Sequence, residues 1–467
     1  MIQPSIPEQS EAKHQLSRSL KGRHLAMISI GGIIGAGLFV GSSTSINAAG
    51  PAVFISYAVT GVLILLVMRM LGEMATALPN VRSFTEFARS GLGDGAGFVV
   101  GWLYWYFWVI VVPVEAIAGA KILHIWMPSY SQLQIGLGLM TIMTGVNLMS
   151  ARSYAEFEFW FSSIKVAAIL VFIAIAGSYA FGLTAPSGAT FANLVDNGGF
   201  APHGWIAVLG AAPTVFFAMM GAEIITVAAA ESAQPGRAIA KMTTTVIWRI
   251  LIFYVVSVFL IVSVVPWNTV RSGESPFTLA LNTMHVRGAG IIMSVIILTA
   301  VLSCLNSAFY VSSRVLFILA ERGDAPRSFI KLNKRRVPVV SVLIGAAAGF
   351  LGIIAATSAP QKVFDFLLSS AGALIVFVYM ITAAAQIALR RQRECDGTAK
   401  PAINMWLFPY LSFAAIGCMA AVLIAMAFNP GQRQDFTASC ITLAVAVIAY
   451  LIVRRLRQPR AAASTAA

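Results

Sequence analysis

The chain has 467 residues, of which 58% are hydrophobic and only 11% charged, a balance that excludes an ordinary soluble protein. Its apolar residues would fill about thirteen segments of the ~20 residues needed to cross a bilayer as helix, and runs of that length exclude an outer-membrane barrel, whose strands are ~10 residues long and alternate in polarity. Lys and Arg number 32 against 18 Asp and Glu, a formal charge of +14; in a polytopic protein such an excess belongs to cytoplasmic loops rather than to a nucleic-acid partner, and none is expected.

Apolar runs with charges at their edges predict twelve transmembrane helices, near 24–45, 49–69, 97–120, 132–150, 159–182, 205–230, 246–265, 288–313, 338–357, 363–389, 404–428 and 436–453. With these spans in place, 26 of the 32 basic residues fall on one side, beginning with Lys13, Arg18, Lys21 and Arg23. Five fall on the other: Lys121, Arg271, Arg287, Lys362 and Arg433. Lys165 lies inside a span. The asymmetry predicts that both termini are cytoplasmic. No removable signal is evident between Met1 and Lys21, and no disulfide is expected of Cys304, Cys395, Cys418 and Cys440.

The first span reads LAMISIGGIIGAGLFVGSSTSINAAG, with Gly31, Gly32, Gly35, Gly37 and Gly41 crowded into its middle. Each interior glycine weakens a helix by about 0.5–1 kcal/mol relative to Ala. One reading is a discontinuous helix whose second half opens with free amides, a site for a carboxylate. The other is close packing, because Gly31/Gly35 and Gly37/Gly41 have GxxxG spacing. The sixth span carries a corresponding irregularity, APTVFFAMMGAEIITVAAAES, with Pro213 and Gly221 inside the apolar run and Glu223 just beyond. Paired breaks at the starts of two halves point to a transporter site built on inverted repeats, although the halves share no visible sequence.

Ionisable side chains inside the membrane cost at least about 2.5–3.5 kcal/mol each on insertion scales, so each needs a reason. Glu115, deep in the third span after Pro113, reads as a counter-charge for a substrate amine, a proton carrier, or a structural hydrogen-bond partner. Lys165 reads either as a buried, proton-cycling amine or as a cation snorkelling to the cytoplasmic edge. Glu156 and Glu158 stand at the expected start of the fifth helix, where its dipole favours carboxylates in any case. Glu223 could sense protonation or cap the unwound turn. Ser303, Asn306, Ser307, Ser369 and Ser370 are weaker polar candidates, and the run Trp102, Tyr104, Trp105, Tyr106, Phe107, Trp108 holds too many aromatics for all to be ligands; some would form an interfacial belt.

The segments SIGGIIGAGLFVGSS, AGPAVFISY, MRMLGEMA, GWLYWYFWVIVVPVEA, EFEFW, MGAEI, VIWRILIFY, SCLNSA, RGDAP and KVFDFLLSSAGAL together resemble the amino acid transporter family of the amino acid-polyamine-organocation superfamily. Within it they look most like its bacterial 4-aminobutyrate (GABA) permeases. The resemblance implies an all-α fold of two inverted five-helix repeats, about 24–182 and 205–389, with helices one and six discontinuous. A loop over 390–403, two further helices over 404–453 and cytoplasmic tails over 1–23 and 454–467 complete the expected organisation. It also implies that amides of Gly35, Ala36 and Gly37 hold a substrate carboxylate, and that carbonyls near Ile33 and from Phe217 to Met220 accept from its ammonium, with Phe217 as a lid. Ser303 joins the expected binding set. Glu115, Lys165, Glu223 and Glu158 are the expected proton-coupling groups, Lys165 standing where sodium-driven relatives bind an ion. Ala218 and Met219 replace a more usual Ser and Phe.

The expected function is secondary, proton-coupled import of a small zwitterion, GABA or a related ω-amino acid, across the bacterial inner membrane. A permease for an aromatic, proline or other neutral α-amino acid is the alternative, and a membrane amino acid sensor a remoter one. An enzyme lacks its parts: there is no HExxH and no P-loop, and no cofactor or metal is expected. A channel would need a filter or rings of acids that the sequence does not contain.

Overall fold

The computed structural model describes residues 34–78, 81, 84–149, 151–186, 188–224, 251–398, 401 and 403–465. Gly31, Gly32 and Ile33 lie outside these, as do the expected ends of spans six and seven around 225–250 and the side chain of Glu156. The described residues are almost wholly helical, with one isolated antiparallel bridge between Leu332 and Pro338.

All twelve expected spans are represented. In order they are Ala36–Phe39 with Gly41–Ala49, Val53–Ala77, Asp94–Trp126, Gln132–Asn147, Ala151–Ala180, Gly204–Gly210 with Ala212–Met219, Leu251–Val256 with Ser257–Val264, Ala289–Glu321, Val339–Ala355, Pro360–Cys395, Tyr410–Phe428 and Arg433–Thr465. Local chemistry sets several boundaries. A reciprocal Ser131/Gln134 capping box opens span four, and Pro360 opens span ten in the first turn, where its missing N–H breaks no hydrogen bond. The first six residues of Leu251–Val264 form a π-helical turn, Leu251–Val256, a geometry that recurs at functional positions.

Three boundaries differ from expectation. Span five begins at Ala151, so Glu158 lies two turns inside the helix rather than at its start. Span twelve continues to Thr465, making the expected tail mostly helical. The loop after span two contains a further helix, Phe84–Leu92, too short and too polar to stand out as a span.

Span three is enclosed along most of its length and packs against spans four, eight, nine and ten. Span twelve is exposed along most of its own. Around the bundle, Ile142, Val171, Ile291, Leu351, Phe428 and Ile441 face outward, the apolar surface that a bilayer would cover. The faces differ in chemistry. On the basic side, Arg89 pairs with Asp94 at 2.5 Å and with buried Asp324 of the loop after span eight, while Arg322 pairs with Glu86. These pairs tie the helix Phe84–Leu92 across the mouths of spans three and eight.

Small residues let spans one, six and ten meet backbone to backbone. A Cβ at Gly37 would lie 2.7 Å from the Ala218 Cα, and one at Gly372 would lie 1.9 Å from the Pro213 carbonyl oxygen. Both readings of the glycine run in span one therefore hold: it packs closely and it breaks. Gly37→Val, which forces backbone against backbone, is expected to destabilise the folded protein by about 1–3 kcal/mol. Gly138→Ala, where nothing lies within 4 Å, is expected to leave stability unchanged or slightly raised; thermal unfolding of both variants in detergent checks the contrast.

Candidate functional site

Span one breaks at Gly35, whose backbone is extended (φ −142°, ψ −153°), and the helix starts at Ala36. A helix start leaves its first N–H groups without carbonyl partners. The Ala36 N–H is met by a side chain 79 residues away: both carboxylate oxygens of Glu115 accept from it at 3.1 Å. Glu115 is buried, and Cys304 of span eight stands beside it; a Cβ at Gly35 would lie 2.6 Å from Glu115 Oε1 and 2.7 Å from Cys304 Sγ. Only glycine fits there.

Span six breaks opposite. Pro213 is not the breaker, because it sits in the first turn of Ala212–Met219, where its missing N–H is harmless. The helix stops at Met220, which is extended, and Gly221 turns the chain with φ +119°, a conformation that side chains disfavour. Glu223 closes the turn. It accepts from the Gly221 N–H at 3.2 Å, from the Tyr379 hydroxyl at 2.9 Å and from the Tyr104 hydroxyl at 3.3 Å. The Ala218 carbonyl accepts from the hydroxyl of Tyr254 at 2.9 Å, which anchors the break to the π-helical turn of span seven.

Between the breaks lies a cavity of about 20 Å³ lined by Gly35, Gly37, Glu115, Phe217, Ala218 and Met220, six of the residues expected from sequence. Phe107, Trp108, Val111 and Cys304 complete its wall. A space of this size holds about one water molecule, so the site as it stands is closed. Larger cavities of about 400 and 230 Å³ lie on the side away from the basic loops and share Val40, Ala118, Lys121, Gln132 and Gly273. Ala118 and Val40 stand about one helical turn beyond Glu115 and Ala36, so these cavities reach almost to the closed site from that side. On the other side of Glu115, two turns toward the basic loops, Phe107 packs on Phe217 in the wall of the closed site, with ring centroids 5.8 Å apart.

The remaining candidates form a second buried group beside the first. Ser303 donates to Glu158 at 2.6 Å and receives from the Lys165 ammonium at 2.9 Å, while Lys165 and Glu158 stand 3.9 Å apart. Ser162 donates to the other Glu158 oxygen at 3.1 Å. Lys165 does not snorkel: it is fully buried. Ser303 is the bridge of this ion pair, and its neighbour Cys304 faces the cavity, because successive residues on a helix point about 100° apart. Lys165 also interacts electrostatically with Glu115, which links the two groups.

Comparison with known proteins agrees with this architecture. The family model described as amino acid permease matches residues 24–461. The chain is 41% identical to the gamma-aminobutyric acid permease of Bacillus subtilis, covering 97% of each chain. It is 43% identical to the gamma-aminobutyric acid permease of Escherichia coli, covering 94% of each. With the probable GABA permease of Pseudomonas aeruginosa it shares 44% identity over 97% of this chain and 96% of the other. An all-helical membrane bundle, paired breaks in its first and sixth spans and a match along nearly its full length place the chain in the amino acid permease family.

Proposed function

We propose that the chain imports GABA or a closely related ω-amino acid together with protons across the bacterial inner membrane, with both ends of the chain in the cytoplasm. The observation that carries this reading is the Ala36 N–H at the break of span one, already engaged by a carboxylate and sharing one cavity with the break of span six. Such an arrangement offers donors to one end of a zwitterion and acceptors to the other. Gly35, Ala36 and Gly37 supply the donors, and the carbonyls from Phe217 to Met220 the acceptors. The relatives' names supply the substrate.

Proton coupling rests on the buried ionisable groups. Glu115, Lys165, Glu158 and Glu223 are all buried, and a carboxylate or ammonium in such a place is retained only where its charge is paired or is meant to change. The Lys165–Ser303–Glu158 group sits one residue from the cavity wall through Cys304, close enough for the charge of Lys165 to bear on Glu115. The larger cavities open on the sparse, periplasmic side, the side from which an importer takes its load, while the Arg89–Asp324 pair closes the cytoplasmic one.

In proteoliposomes, labelled GABA is expected to accumulate saturably under an inward proton gradient and not under a sodium gradient. Uptake competed only by an α-amino acid would replace GABA as the substrate. Lys165→Met is expected to lose accumulation driven by a pH gradient while keeping GABA exchange; an unchanged pH dependence would remove Lys165 from coupling.

A further inference from the structure

The amide expected to receive the substrate's carboxylate is occupied by one of the protein's own. The Ala36 N–H offers a single donor, and both oxygens of Glu115 stand 3.1 Å from it. A second ionised carboxylate brought to the same donor would repel the first, and of two carboxylates sharing a site one takes up a proton. Gly35, Gly37 and Glu115 line one cavity, so a ligand carboxylate seated there meets the donor that Glu115 already holds.

We propose that Glu115 is an internal stand-in for the substrate carboxylate. The substrate carboxylate displaces Glu115 from the Ala36 N–H, and the displaced Glu115 binds the coupled proton. This rests on the transport reading above and assigns that site its order of events. The proton comes from water on the periplasmic side, whose cavities approach Glu115 through Ala118 and Val40. It leaves as a proton to the cytoplasm when the substrate departs and the ionised carboxylate returns to Ala36. Cys304 from span eight and Lys165 from span five are the titratable groups that face Glu115 among the described residues; the positive charge of Lys165 favours the return. Glu115 then competes with the substrate carboxylate instead of pairing with its amine.

The test counts protons. The purified full-length protein, in weakly buffered detergent with a pH-indicator dye, is titrated with GABA, with butyrate, which has the carboxylate alone, and with n-butylamine, which has the amine alone. GABA and butyrate are expected each to draw about one proton from solution per molecule bound and butylamine none. The GABA affinity is expected to weaken about tenfold per pH unit above the Glu115 titration, since binding is linked to one proton. Glu115→Gln, checked for a cooperative melt, is expected to bind GABA without proton uptake. Proton uptake with butylamine but not butyrate, uptake that survives Glu115→Gln, or GABA binding with no uptake would each overturn the proposal. Should Glu115→Gln fail to fold, Glu115→Asp, whose shorter side chain withdraws from Ala36, is expected to bind GABA more tightly than wild type at high pH; an unchanged affinity would contradict the exchange. If GABA does not bind while an α-amino acid does, the substrate assignment falls, and the proton count with that amino acid decides the exchange by the same rule.

Discussion

A main-chain N–H in the middle of a membrane protein, met by neither water nor a helical carbonyl, costs several kcal/mol unless a side chain answers it. Breaking span one at Gly35 creates such a group at Ala36, and much of the central architecture follows from satisfying it. Span three must run past the break so that Glu115 can reach Ala36, which makes it the most enclosed of the seven long apolar helices among the described residues. Gly35 must lack a side chain because Glu115 and Cys304 fill the space a Cβ would need. Span six must approach through Ala218, with Gly37 facing it, so that the two breaks share one cavity. An interaction that stabilises a helix end thereby also defines where a ligand with the same chemistry would bind.

The other buried charges follow the same economy of partners. Glu223 answers the amide of its own broken turn and is held by tyrosines from spans three and ten. Glu158 and Lys165 stand too far apart for a direct hydrogen bond, and Ser303 supplies the connection. Removing one member of such a buried pair leaves an uncompensated charge, which typically costs about 3–5 kcal/mol. A site held by these few contacts can be rearranged by moving one proton. A hydrophobic core could not respond in that way.

Much of this was legible in the sequence because the membrane imposes its own regularities. Span lengths and charge asymmetry revealed twelve helices, and glycine crowding with a paired irregularity in span six located the two breaks. What escaped depended on rotation or on long-range contact. The run Trp102 to Trp108 offers six aromatics, and only the helical phase shows that Phe107 and Trp108 face the cavity. The same phase exchanges Ser303 for Cys304 at the wall. Glu158 follows a polar stretch, ARSYAE, that reads like a helix boundary, yet the helix Ala151–Ala180 runs through it. Pro213 drew attention as a breaker, yet a proline in a first turn breaks nothing, and Gly221 carries the turn. The partner of Glu115 could not be read from sequence at all: nothing local links position 115 to position 36.

The central claim, that the cavity between the two breaks is where substrate binds, can be tested through a side chain already in its wall. With Cys395, Cys418 and Cys440 replaced by serine, Cys304 is the remaining thiol, and its rate of modification by a small methanethiosulfonate can be followed in reconstituted protein. Saturating GABA is expected to slow that modification, and completed modification to abolish uptake. A modification rate indifferent to substrate, together with uptake that survives a fully modified Cys304, would place the binding site elsewhere in the molecule.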